Sequence, residues 1–301
     1  MYERKLVRQE VTALLLLPLA LSCGGDGDRD PSAPLSVAVS IAPQLYFVDR
    51  IGGNRVDAFA VIPEGFSPAT YEPTPARMRA LSDADIYFSI GVPFEESWLP
   101  RIEQAVPGLR IVESHAGIDL MPIDHADAED NLDGEGHGTL DPHIWLSPEL
   151  VASQVDIISK TLTEIDPPGE QVYRQGRDSL LLDIASLQQE MHELLDPVNG
   201  ASFVVFHPAW GYFAHEFGLV QIPVEIDGHE PSLAQLADLI TLVGQRNVRF
   251  IFVSPQFSDA SARTIAEQSG IGLIEIDPLA EDWLQNMRSV AGRMREALER
   301  E

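Results

Sequence analysis

The sequence predicts an α/β protein of two lobes, each a mostly parallel sheet flanked by helices, the two joined by one long helix. Three observations carry this expectation. Short apolar, β-branched runs alternate with amphipathic helical stretches from Leu35 onward, the pattern of parallel sheets covered on both faces. The rhythm is interrupted between Pro168 and Pro197, where Leu180, Ile184, Leu187, Met191 and Leu194 recur at helical spacing over a stretch too long for a simple crossover helix. A second alternating series then begins at Ser202, and 301 residues are enough for two cores.

The first residues are read as an export signal rather than as part of the fold. Arg4, Lys5 and Arg8 precede an apolar run from Val11 to Leu21, which is short for a membrane span and right for a signal sequence. Ala20-Leu21-Ser22-Cys23 followed by Gly24-Gly25-Asp26 resembles a bacterial lipoprotein processing site, with Cys23 as the lipidated residue; a plain secretory signal with an incidental Cys23 is the other reading. Cys23 is the single cysteine, so the mature chain holds no internal disulfide. The expected organisation is a signal peptide over 1–22, a flexible tether over 23–35, an N-terminal lobe over 36–166, a linking helix over 167–198 and a C-terminal lobe over 199–301. A formal net charge of -27 argues against nucleic acid and anionic lipid as partners; it would attract cations, although such an excess more often serves solubility or reflects an organism with acidic proteins.

In order, strands are expected at Ser36 to Ser40, Asp57 to Ile62, Ile86 to Ile90 and Leu109 to Val112. Helices are expected at Gln44 to Ile51, from Pro75 through Leu81, and at Phe94 to Ala105. Ile123 to Leu140 carries acidic residues with His125 and His137 and no hydrophobic period, and reads as a surface loop. Ser147 and Pro148 form a helix start, N-cap then first position, for a helix reaching Ile165. The second series places strands at Ser202 to Phe206, Gln221 to Ile226, Arg249 to Val253 and Gly272 to Ile276. Its helices fall at Gly211 to Phe217, Ser232 to Val243 and Ser258 to Gln268, and a last one runs through Trp283, Met287, Val290 and Met294.

Three residues stand out as metal donors. Pro142 drives the residue before it out of the helical region, so His143 sits where the loop stiffens, either as a ligand or as a ring hydrogen-bonded under Trp145. His207 and Asp277 each follow a strand, and ligands of open α/β sheets gather at those carboxyl ends. Two imidazoles and a carboxylate meeting in a cleft would make a first-row metal site. Taken singly, His207 is also read as a strand-end cap and Asp277 as a turn cap.

Together with these residues, a set of motifs in fixed order resembles the metal-binding receptors of bacterial zinc and manganese ABC importers, the cluster A-I solute-binding proteins. They are Pro68-Ala69-Thr70-Tyr71-Glu72-Pro73, Asp141 to Pro148, Phe206 to Phe213, Gly228 to Ser232, and Pro255 to Ser258 leading to Asp277-Pro278-Leu279. The resemblance covers Val37 to about Leu284. It implies two α/β lobes bridged by a long helix, and metal-ligand roles for His143, His207 and Asp277. It also implies a zinc cargo (manganese or another divalent metal being the alternative), and a membrane permease as partner of an exported, monomeric, non-enzymatic receptor. One position departs: the family usually has histidine where this chain has Ala69. His229, Glu72 and Glu230 are the replacement or supporting donors expected, with His125 and His137 behind them. Two other readings follow from that loss. One is a relic receptor serving as adhesin or binder of another ligand. The other is an exported zinc hydrolase with Glu72 or Glu230 as base, although no His-Glu-x-x-His pattern exists.

Overall fold

The computed structural model describes residues 33–123, 140–225, 229, 231–246 and 248–299. Cys23 and the signal region, His125, His137 and Glu230 lie outside the described residues.

The first lobe is built from β1 (Leu35–Val39), α1 (Ala42–Gly52), β2 (Val56–Ala60), α2 (Pro75–Ser82), β3 (Ile86–Ser89), α3 (Pro93–Ala105) and β4 (Arg110–Glu113). Its strands are parallel in the order β2-β1-β3-β4. Helix α4 (Pro148–Ile165) starts as the sequence predicts, with the Ser147 hydroxyl accepting from Leu150 N and Pro148 in the first turn. The long helix α5 (Glu170–Leu195) follows, 26 residues flanked at each end by a short 3-10 turn.

The second lobe repeats the plan: β5 (Ser202–Val205), α6 (Gly211–Glu216), β6 (Val220–Pro223), α7 (Leu233–Gln245), β7 (Phe250–Val253), α8 (Ala260–Ser269) and β8 (Gly272–Glu275). The order is β6-β5-β7-β8, again parallel. In both sheets the order reverses beside the first strand of the lobe, and that crevice is where open α/β sheets bind ligands.

Alternation along β5 assigns the two cores. Phe203 and Val205 face the large core shared with the first lobe, while Val204 and the following Phe206 face a smaller core under α7 and α8. Helix α9 (Trp283–Leu298) belongs to the large core, and its Trp283 meets Phe47 of α1 edge-on at 5.2 Å. The molecule therefore has two helical struts, α5 and α9, where the sequence suggested one. Along α5 the buried row is Leu180, Ile184, Leu187, Met191 and Leu195; Leu194, expected in that row, is partly exposed. Steps of three or four residues reach either leucine from Met191, and the face set by Leu180 to Met191 continues to Leu195.

Gly176 explains how closely α5 lies on α1. A Cβ there would come 2.5 Å from the Arg50 and Ile51 carbonyl oxygens, which belong to backbone and cannot swing away. Gly176→Ala should therefore lower the melting temperature, because overpacking of about 1–3 kcal/mol exceeds the roughly 1 kcal/mol that alanine gains in helix propensity. An unchanged or raised melting temperature in a calorimetric scan would show that the helices can separate.

Candidate metal centre

The site grows from two Asp-Pro-X turns, one per lobe. In Asp141-Pro142-His143 the Asp141 Oδ1 accepts from His143 N at 2.9 Å, a local turn in which the side chain binds the backbone two residues on. The same oxygen lies 2.6 Å from His143 Nδ1. Asp277-Pro278-Leu279 repeats the turn: Asp277 Oδ1 accepts from Leu279 N at 2.8 Å and from Gln256 Nε2 at 2.7 Å. The lobes are fastened next to these turns. Trp145 Nε1 donates to Pro278 O and Trp283 Nε1 donates to Trp145 O, each at 2.6 Å. Tyr212 of the second lobe donates to Asp141 O and accepts from Met121 N.

His207 stands just beyond β5, at the crevice of the second sheet, and Glu225 stands just beyond neighbouring β6. The pairing Val205 with Pro223 carries the register to His207 beside Glu225, whose Oε2 lies 2.5 Å from His207 Nδ1. Phe257 stacks on the His207 ring at 4.3 Å, and Trp145 packs against the His143 ring at 5.1 Å. Each imidazole is thus held through Nδ1 by a carboxylate and through its face by an aromatic ring.

The consequence is that His143 Nε2 and His207 Nε2 face each other at 3.4 Å. A carboxylate only accepts, so Nδ1 carries a proton in both rings, and in the neutral tautomer each Nε2 presents a lone pair. Two lone pairs pointed at one another have no hydrogen between them, and the arrangement calls for a cation. Zinc–nitrogen bonds of about 2.05 Å at a tetrahedral angle put two nitrogens about 3.3 Å apart, close to the separation found.

The imidazoles border a cavity of about 460 Å³ whose walls include Ala69, Val92, Leu120, Leu140, Phe257, Pro278 and Leu279, with Glu96 exposed at its margin. Glu95, buried beneath it, accepts from Ile90 N and Gly91 N, both at 2.8 Å, and from the Ser40 hydroxyl, fixing the loop that supplies Gly91 and Val92. Burial raises the Glu95 carboxyl above its ordinary range, against the lowering by those donors.

Of the residues singled out in the sequence, the structure brings His143 and His207 together and puts Ala69 on the wall of their cavity. Glu72 and His229 are exposed and are not part of that wall. Among the described residues no three His, Cys, Asp or Glu side chains stand close enough to hold one ion, so Asp277 does not join the pair in this form. Asp141 and Glu225, which hold the two rings, are the residues that sequence reasoning did not single out. Asp141 could have been found from its spacing before His143, and Glu225 from its place at the end of the strand beside β5.

Residues 37–297 match the family model described as zinc-uptake complex component A, periplasmic, or ZnuA. The chain belongs to the ZnuA family. Its members are solute-binding receptors of ABC importers and work outside the cytoplasm with a membrane permease; they are not enzymes. The high-affinity zinc uptake protein ZnuA of Bacillus subtilis is 29% identical over 263 residues, covering 84% of this chain and 82% of the relative. The manganese-binding lipoprotein MntA of Halalkalibacterium halodurans is 26% identical over 266 residues, covering 86% and 85%. A crystal structure of ZnuA superposes with a TM-score of 0.83 at 38% identity, over 88% of this chain and 100% of that one.

Packing around the His207 ring lowers its pKa, with the nearby His143 adding to the effect and the Glu225 hydrogen bond opposing it. The neutral form therefore persists below the ordinary imidazole value of about 6.5. Because the unfolded chain takes up the proton first, stability should decline as pH falls below about 6.5. Histidine NMR should find His207 titrating below that value, and lower still in Glu225→Gln; titration at or above it would contradict the packing argument.

Proposed function

We propose that this receptor captures a divalent metal between its lobes, zinc first and manganese second, and delivers it to its permease. The observation that supports this best is the pair of Nε2 lone pairs 3.4 Å apart, one from each lobe, oriented by Asp141 and Glu225. Imidazole nitrogen favours zinc over the harder manganese ion, which prefers oxygen. The zinc-uptake family description and the zinc-uptake relative point the same way, and the manganese-binding relative keeps the second metal in view.

In this reading His143 and His207 are the two protein donors of the captured form. Asp277, whose Oδ1 is held by Gln256 and Leu279 N, is a reserve carboxylate. No donor role is assigned to His229 or Glu72, which lie exposed. The chain is proposed to act as a monomer, without nucleic acid, held to the outer face of the membrane through lipid on Cys23.

His207→Ala should weaken zinc binding by about a hundredfold or more in calorimetric titration, roughly 2.7 kcal/mol at tenfold per 1.4 kcal/mol. Asp277→Asn should change it by no more than about threefold, because that carboxylate is engaged within its own turn. Equal losses in both variants would make Asp277 a full ligand and overturn the two-donor assignment. Growth of a producing strain with labelled fatty acid should mark the wild-type chain and not Cys23→Ser; a label on both would place the lipid elsewhere.

A further inference from the structure

We propose that Tyr212 and Glu216 are positioning residues for the imidazole pair, and that through them α6 sets the distance between His143 and His207. The inference rests on the receptor reading above and concerns how that cleft is held to size. Both imidazoles stand four residues ahead of a helix boundary: His143 before Ser147, the cap of α4, and His207 before Gly211, where α6 begins. Residues 144–146 and 208–210 are buried, so packing holds both links. A contact that fixes α6 against the start of α4 therefore fixes one ring against the other.

Tyr212 and Glu216 lie one turn apart on the same face of α6. Tyr212 reaches the chain just before His143, donating to Asp141 O at 3.0 Å and accepting from Met121 N at 2.9 Å. Glu216 reaches it just after, accepting from the Ser147 hydroxyl and, at 3.3 and 3.4 Å, from Glu149 N. Gln188 Nε2 of α5 donates to the same carboxylate at 2.8 Å, which ties it to the long helix as well. The stretch from Asp141 to Ser147, with His143 inside it, is thus pinned at both ends by one short helix that starts four residues after His207. The fit is close. A Cβ at Gly211 would lie 2.9 Å from Asp141 Oδ2, on the carboxylate that holds the His143 ring. Neither Tyr212 nor Glu216 is part of the cavity wall, so any effect they have on an ion runs through the rings.

The test compares Glu216→Ala and Tyr212→Phe with the wild-type full chain. Zinc titration is run well below the melting temperature of each, beside the visible absorption of bound cobalt, which follows the number and angles of its ligands. Each variant should bind zinc about tenfold more weakly, the loss typical when a group that orients metal ligands is removed, and should shift the cobalt bands. A purely structural loss would instead resemble Gly176→Ala, which strains the contact of α5 with α1 and should leave affinity and bands as in the wild type. Unchanged affinity and bands in either variant would overturn the two-point brace and leave the receptor reading standing. Failure of the wild-type chain to bind zinc would sink both. Should Glu216→Ala fold poorly, Tyr212→Phe, which removes a single oxygen, decides alone.

Discussion

Everything in the cleft depends on two nitrogen lone pairs being kept face to face. Free imidazoles would rotate, exchange tautomers or protonate to escape that geometry. Here each ring is pinned at Nδ1 by a carboxylate, Asp141 in one lobe and Glu225 in the other. The aromatic faces of Trp145 and Phe257 limit how the rings can turn. Carboxylate partners of this kind select the tautomer and make the other nitrogen a better donor. The contacts that orient the two rings are thus supplied by the chain itself, one carboxylate and one aromatic ring to each.

The fold supplies these pins by repetition. Each lobe carries an Asp-Pro-X turn, one ahead of α4 and one after the edge strand β8. The third position differs: His143 in one lobe, Leu279 in the other. Asp141 and Asp277 make the same local bond to backbone two residues on, yet only Asp141 has an imidazole to orient. Asp277 instead shapes the wall that Pro278 and Leu279 present to the cavity.

Much of this was legible in the sequence, and the exceptions have physical reasons. Strand and helix periods assigned the two lobes and the long helix, since burial enforces those periods wherever a core exists. His143 and His207 could be picked out because strand ends and Pro-flanked turns lie where ligands gather. Asp277 satisfied the same positional rule, and its Oδ1 also accepts from the backbone two residues on, a turn that position alone does not announce. Glu225 escaped notice because its partner lies 18 residues away and becomes adjacent only through the pairing of β5 with β6. The exchange of Leu194 for Leu195 reflects a helical period of 3.6, which near the end of a long helix leaves adjacent residues almost equally placed. Helix α9 was seen as an element but not as a strut, because nothing in an amphipathic stripe names the surface it will cover.

The two struts bear on how cargo leaves. Helix α5 holds the first lobe through Arg50 to Asp183 and the second through Gln188 to Glu216, and α9 spans from Phe47 to the Arg249 side chain. Between them the Trp145 and Trp283 indoles donate across the lobes in buried surroundings. Swinging the lobes apart would strand those donors, at about 1–3 kcal/mol for each buried group left without a partner, besides opening the shared core. Release by rigid rotation about a flexible hinge is therefore disfavoured. The turn that carries His143 is itself braced, by Asp141 at the ring nitrogen, by Trp145 on the ring and by the Tyr212 hydroxyl on Asp141 O. Because Trp145 lies two residues on and makes both indole-linked bonds, the imidazole pair and the fastening between the lobes share one short segment of chain.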